Sequence, residues 1–572
     1  MYDPANPCIV QSDRTILVEV DNPRYEAARD ALAPFAELEK SPEHLHTYRI
    51  SNLSLWNAAA VGLTPLQVVE TLCRFTKFPL PPNLPVDIAQ TMSRYGRVRL
   101  ERLEGVNTDK GLRLICDDPA LLLELRRHKA LRDYLGAALD ERSCQVATAH
   151  RGVLKQSLIA VGYPVEDLAG YTEGTELPLS LRPHCRDGRP FSVRDYQRDA
   201  AAAFYAGGNL RGGSGVVVLP CGAGKTIVGL AVMALLQKNT LILTTSITAV
   251  KQWKRELLDK TTLTDDQIKE YTGESKEIGP VTIATYQILT YRPDRTEDFP
   301  HFGLFEQGDW GLIIYDEVHL LPAPVFRVTA QIQARRRLGL TATLVREDGR
   351  EGDVFALIGP KRYDVPWRQL ETQGWIATAQ CTEIRVAWPN EAARLEYAVA
   401  EPRAQYRLAS ENLAKDDVVA ALLRRHDQQR VLIIGQYLSQ LRRLAQRFQL
   451  PLITGTTPNS EREQLYARFR QGQLRQLILS KVGNFAIDLP DANVLIQVSG
   501  TFGSRQEEAQ RLGRVLRPKS DGSVAHFYTL VTRDTREQDF AHHRQLFLTE
   551  QGYAYEIVDE SAVVSCLRRH AS

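Results

Sequence analysis

Chemistry is most directly implied by Pro220-Cys221-Gly222-Ala223-Gly224-Lys225-Thr226. Glycines either side of a small residue let successive backbone N–H groups close round a phosphate, and the helix that follows turns its positive end to the anion. Lys225 would reach the β and γ phosphates of a nucleotide, and Thr226 would hold Mg2+. The strict phosphate-loop pattern asks for glycine five positions before Gly224, where this chain carries Leu219. A second group, Asp316-Glu317-Val318-His319, lies 316 − 225 = 91 residues further on. Asp316 is placed to bind Mg2+ through water, and Glu317 to orient and deprotonate an attacking water. Alone, an Asp-Glu pair after a strand is commonly a helix cap. After a phosphate loop at this separation it reads as the acidic half of a nucleoside triphosphate hydrolysis site.

Both groups need strands to carry them. Val216 to Leu219 reads as the strand before the loop and Ile227 to Gln237 as the helix after it; Leu312 to Tyr315 is the apolar strand before the acids. Similar apolar runs at 240–244, 281–284, 337–340, 431–434, 476–480, 494–498 and 526–531 alternate with amphipathic helices. That alternation predicts parallel sheets covered on both faces. A break near 380–395, around Trp388-Pro389-Asn390, divides them into two blocks. Upstream, Thr15 to Val20 predicts a strand. Thr64-Pro65 opens a helix with Leu66, Val69, Leu72 and Phe75 at helical spacing. Leu112 to Cys116 and Asp118-Pro119 open a second small α/β unit, and Leu181 to Ser192 reads as a linker. For the first unit, generic packing is favoured over a winged-helix DNA reader. The expected organisation is α/β throughout, with two small accessory domains at 1–107 and 108–180 and two parallel-sheet domains at 181–380 and 381–572.

Composition sets outer limits. The chain has 572 residues and a net charge of 71 − 69 = +2, which neither announces nor excludes a nucleic-acid partner. No run approaches 18 apolar residues, so no membrane span is expected. Residues 1–13 have neither a basic nor an apolar secretory segment. Eight cysteines without a Cys-x-x-Cys pair suit a reducing, cytoplasmic setting and no structural zinc.

The motifs resemble those of superfamily 2 helicases, where Leu219 is tolerated in the first motif. Thr341-Ala342-Thr343 is similar to the third motif, and Gln510-Arg511-Leu512-Gly513-Arg514-Val515-Leu516-Arg517 to the sixth. The closer resemblance is to the XPB family. It rests on Leu219 to Thr226, on Leu340 to Thr343 followed by Arg346-Glu347-Asp348, and on Ser480-Lys481-Val482-Gly483 leading to Asp488 through Gln497. It implies two tandem RecA-like domains, ATP and Mg2+ as cofactors, DNA as substrate with 3′-to-5′ polarity, and a setting in repair or promoter opening. Gln510, Arg514 and Arg517 share one helical face by spacing. The resemblance makes the two arginines fingers for the transition state. It also implies that Gln197, in Arg194-Asp195-Tyr196-Gln197, contacts adenine, and it groups Asp488 with the nucleotide-contacting residues. Arg346, Glu347 and Asp348 are implicated in duplex separation, and the second accessory domain in damage recognition. The family's helical thumb would fall at 390–415, a short segment here.

Small hydroxyls, amides and lysines recur in loops after strand ends. Thr245, Ser246 and Lys251, Thr285 and Tyr286, Thr456, and Ser480 with Lys481 suit sequence-independent phosphate contacts to single-stranded or duplex DNA. Each singly is more often a cap or turn. A nuclease or a repair or transcription protein is a candidate partner, and a nucleoid-associated place follows if the source is prokaryotic. The rival readings are the motor of a restriction or remodelling assembly, and a silent DNA-binding scaffold, which would have lost some of these residues.

Overall fold

The computed structural model describes the chain except residues 1, 41–43, 104–110, 169–172, 209–212, 221, 293–299, 302, 319–335, 343–350, 366–369, 371–372, 376–378, 481–491, 501–523, 551–552, 554 and 565–572. Residues 1–219 with 224–364 form one compact unit, and 365–572 with 220–223 another.

In the first unit, Cys8–Val10, Thr15–Glu19, Leu45–Arg49 and Glu37–Lys40 pair in that order as an antiparallel sheet. Helices Asn52–Ala60, Pro65–Phe75 and Asn83–Ser93 follow. The expected start at Thr64 is present: its hydroxyl accepts from the Gln67 N–H while the Gln67 side chain accepts from the Thr64 N–H. The second small sheet runs Ala138–Asp140, Ser143–Ala147, Gly111–Cys116, Val98–Arg102, Val165–Asp167. The strand Val98–Arg102, grouped with residues 1–107 from sequence, therefore pairs with Gly111–Cys116 of the following sheet. Alternation showed that it was a strand but not its partner.

The parallel sheet of this unit runs Ile268–Tyr271, Val281–Thr285, Thr240–Thr244, Leu312–Asp316, Arg336–Thr341, Ser214–Val218, Lys361–Asp364. Its central strands are buried on both faces, as in Thr240–Thr244, where Leu241, Ile242 and Leu243 have no exposed surface. Register levels the strand ends that matter: Asp316 lies beside Leu340, Val218 beside Thr341, and the Leu219 N–H donates to the Thr341 carbonyl at 2.9 Å.

Both small domains are fastened to this sheet. Asn57 Oδ1 accepts from the Lys361 N–H at 2.9 Å, and Gln156 Nε2 donates to Asp353 Oδ1 at 2.8 Å. The expected linker is pinned rather than loose. The Leu177 N–H donates to the Gln237 carbonyl and the Arg182 N–H to that of Lys260, so the chain follows the C-terminal ends of helices Lys225–Leu236 and Ile247–Lys260.

The second unit carries a parallel sheet ordered Leu452–Ile453, Gln476–Leu479, Val431–Ile434, Val494–Gln497, Ala525–Thr532, Ala379–Val386, Tyr555–Asp559. Where the short thumb segment falls, helices Glu391–Val399 and Pro402–Ser410 form. Lys415, without exposed surface, pairs with Glu537 at 2.8 Å and donates to the Val498 carbonyl at 3.1 Å. This fixes the chain just past Val494–Gln497. No helix among the described residues is long and apolar enough to cross a membrane.

Candidate active site

Ser214–Val218 delivers the chain to the glycine turn, and helix Lys225–Leu236 leaves it. Gly222 and Gly224 have φ of 85° and 78°, the left-handed region open to glycine without a steric cost. A side chain at Gly224 would also collide: a Cβ there would sit 2.6 Å from Gln197 Nε2. The turn is thus closed down against Gln197, and the helix Lys225–Leu236 starts directly from it.

Two strands away, Leu312–Asp316 ends on the acids. Lys225 Nζ lies 3.4 Å from Glu317 Oε1, both side chains mostly covered. Glu317 has a φ of 52°, a left-handed conformation that costs a non-glycine residue about 1–3 kcal/mol and is held only where the surroundings impose it. It bends the chain sharply just past the strand. Half-buried Asp316 is held by Trp253, whose Nε1 donates to Oδ2 at 2.9 Å, and by Tyr286, whose hydroxyl donates to the Asp316 carbonyl at 2.9 Å. Desolvation, helped by the Glu317 charge, pushes the Asp316 carboxyl up to about 6 against the pull of Trp253 and Lys225. Two carboxylates share one ammonium, so this trio carries a net negative charge. Oxygen donors with surplus charge suit a hard divalent cation. Asp316 supplies one such oxygen, and among the described residues no cluster of three or more His, Cys, Asp or Glu is gathered to hold a metal ion.

A family model described as ERCC3/RAD25/XPB C-terminal helicase matches residues 370–569. Another, for a helicase conserved C-terminal domain, matches 8–140, and one for the res subunit of type III restriction enzymes matches 190–346. A Kineococcus radiotolerans protein named DNA 3′-5′ helicase XPB is 56% identical over 553 residues, covering 97% of this chain and 96% of that one. The chain belongs to the XPB helicase family. A Mycobacterium tuberculosis relative of the same name is 54% identical over 553 residues, 97% of this chain and 98% of that one. The Saccharomyces cerevisiae relative, named general transcription and DNA repair factor IIH helicase/translocase subunit XPB/SSL2, is 32% identical over 612 residues, 96% and 72% of the two chains.

The XPB-family motifs fare unequally against the geometry. Lys225, Asp316 and Glu317 come together as expected, and Thr341 and Ala342 are buried beside them in sequence order. Gln197 is almost wholly buried, its Oε1 accepting the Arg194 N–H at 3.1 Å and its amide lying on Gly224. Part of the pair of groups expected to meet adenine is therefore already engaged. Several hydroxyls expected on the DNA track turn inward. Ser246 and Thr285 cap the helices that follow them, accepting from the Ala249 and Ile288 N–H groups. Tyr286 is buried too, its hydroxyl donating to the Asp316 carbonyl at 2.9 Å. Ser480 is buried as well. Thr245 is partly exposed, and Lys251 and Thr456 are exposed. Cys221, His319, Thr343, Arg346, Glu347, Asp348, Lys481, Asp488, Gln510, Arg514 and Arg517 lie outside the described residues.

The hydrogen bond from Trp253 to Asp316 is the feature of the site that the sequence does not reveal. As an apolar position in an amphipathic helix Trp253 reads as core, and it is core by burial. The available signal was its place on the helix after the second strand, since that strand, Thr240–Thr244, is the immediate neighbour of Leu312–Asp316.

Proposed function

We propose that the chain is an ATP-dependent DNA helicase or translocase that moves 3′ to 5′, with Lys225, Asp316 and Glu317 at its hydrolytic site. The observation that carries this is the ion pair of Lys225 with Glu317 beside Asp316, where the ends of parallel strands meet a phosphate-type turn. The turn's N–H groups and Lys225 bind the phosphates. Glu317 orients a water and takes its proton as it attacks the terminal phosphorus. Asp316 and Thr226 would hold Mg2+, which when bound neutralises charge on the phosphates. Arg514 and Arg517 act as fingers, and Gln510 and Asp488 contact the nucleotide. Thr245, Lys251, Thr456 and Lys481 carry the phosphate backbone of DNA, largely regardless of sequence, while Arg346, Glu347 and Asp348 act in duplex separation.

The relatives' names support strand separation over the rival readings. The match to the res subunit of restriction enzymes covers the shared motor, whereas the helicase XPB relatives align along 97% of this chain. A silent scaffold would have no use for the lysine and both acids. DNA is the partner and the cytoplasm the place consistent with this; a repair or transcription complex is the natural wider setting, as the yeast relative's name indicates for that protein. The test is unwinding of duplexes with a 3′ or a 5′ overhang. The 3′-tailed duplex is expected to open with ATP. Opening that requires a 5′ tail would refute the polarity.

A further inference from the structure

Asp316 is gripped at two different atoms by two side chains from two different segments. Trp253 Nε1 donates to the carboxylate, and the Tyr286 hydroxyl donates to the main-chain carbonyl, each at 2.9 Å. An indole N–H can only donate, so Trp253 favours the ionised acid. The Tyr286 phenol stays protonated, since burial and the Asp316 charge hold its pKa well above the ordinary value. Both rings are buried, and Gly229 of the phosphate-loop helix is so close to Trp253 that a Cβ there would lie 2.5 Å from Cη2. The carbonyl held by Tyr286 belongs to the residue just before Glu317, whose left-handed backbone needs an outside constraint.

The anchoring points of the two rings matter too. Trp253 lies on helix Ile247–Lys260, which starts at the Thr245-Ser246 turn. Tyr286 opens the short helix after Thr285. Those turns follow neighbouring parallel strands, Thr240–Thr244 and Val281–Thr285. Thr244 pairs with Thr285, so both turns lie at the same end of the sheet, and the first carries Thr245, which the proposed function sets against the DNA backbone.

We infer that Trp253 and Tyr286 are positioning residues that fix the Asp316–Glu317 turn and convey DNA engagement at the two strand-end turns to the hydrolytic acids. The inference rests on the reading of the site as a DNA-dependent ATPase. A strand pressing on either turn shifts the attached ring, and the ring moves the acid it holds. Interiors packed at this density transmit such shifts instead of absorbing them.

Trp253→Phe removes the N–H and keeps an aromatic filler; Tyr286→Phe removes one oxygen. For each, the full-length protein is assayed for ATP turnover with and without duplex DNA, for binding of a fluorescent ATP analogue in EDTA, and for its melting midpoint. Each variant is expected to lose about ten-fold in DNA-stimulated kcat, as loss of one hydrogen bond to a charged or strained group implies. The ratio of stimulated to unstimulated rate is expected to fall, with KM and analogue affinity in EDTA within about two-fold of wild type. A purely structural role would lower melting and raise KM while leaving that ratio alone, and this result would overturn the inference. If Trp253→Phe melts far below wild type, Tyr286→Phe decides, because it removes only the hydroxyl oxygen and keeps the ring. A wild-type protein whose turnover ignores DNA would instead defeat the reading beneath. Normal stimulation in wild type and in both variants would defeat the inference alone.

Discussion

Gly229→Ala sets two physical effects of opposite sign against each other. In a helix interior, alanine for glycine ordinarily adds about 0.5–1 kcal/mol of stability by restricting the unfolded chain. Here the new methyl would stand 2.5 Å from Trp253 Cη2, 3.1 Å from Cζ3 and 3.5 Å from Ile314 Cδ1. Carbon pairs rest at about 3.5–4.0 Å, so the nearest contact is too short by about an ångström. The ring opposite is rigid and buried, and overpacking of this kind costs about 1–3 kcal/mol. The net expectation is a loss of about 0.5–2 kcal/mol from the unit formed by residues 1–219 and 224–364, a melting shift of roughly 1–3 °C downward. Trp253 must also move from Asp316, so ATP turnover is expected to drop about ten-fold. Differential scanning calorimetry and a phosphate-release assay measure both. A variant that melts higher than wild type and hydrolyses ATP normally would refute the packing argument and the role given to Trp253.

Two further outcomes rest on buried carboxyls of the structure, and one on the sixth motif of the sequence. Asp167, almost fully buried, bonds Arg151 at 3.0 Å through Nε and Lys155 at 2.9 Å. Burial alone would raise its carboxyl, but these two cations outweigh that and hold it well below the ordinary 3.8. Asp167→Asn strands both cations and should cost about 3–5 kcal/mol in chemical denaturation. Since the folded pKa is depressed, the contribution is whole above pH 3.8 and fades as pH falls below it, so the gap to wild type should narrow only in acid. Asp316, raised to about 6, takes up a proton as pH drops through that value. The Mg2+ needed for half-maximal turnover should therefore climb, roughly ten-fold per pH unit below 6; a flat requirement from pH 7 to 5 would contradict it. Arg514→Ala should cut turnover by about 10³-fold while leaving ATP binding intact, and equal losses in both would argue against a finger.

Legibility followed burial. The central strands, such as Leu312–Asp316 and Val431–Ile434, were plain because they are covered on both faces and so run apolar for four residues or more, Asp316 alone excepted. The sheet edges were not. Ile268–Tyr271, Lys361–Asp364 and Tyr555–Asp559 carry charges that face water, and their sequences Ile-Lys-Glu-Tyr and Lys-Arg-Tyr-Asp resemble turns. Ala379–Val386 was hidden beside Trp388-Pro389, which lies just past the strand's far end. Lys225, Asp316 and Glu317 were legible because phosphate chemistry restricts residue type and spacing. The grip on Asp316 was not: Trp253 and Asp316 are 63 positions apart, and only the order of strands brings them together. The Tyr286 contact was hidden for a related reason, since a tyrosine after a strand end suits either solvent or a buried carbonyl, and only packing chooses. The left-handed turn at Glu317 leaves no mark in composition.

The central claim is that Glu317 activates water for hydrolysis of ATP held by Lys225 and the glycine turn, and that DNA movement depends on it. Single-turnover hydrolysis of labelled ATP in Glu317→Gln, with analogue binding measured in parallel, tests this most directly. Glutamine keeps the shape and removes the base, so binding near the wild-type level with turnover lowered by at least about 10²-fold is expected, together with loss of unwinding. Hydrolysis at the wild-type rate by Glu317→Gln would contradict the account.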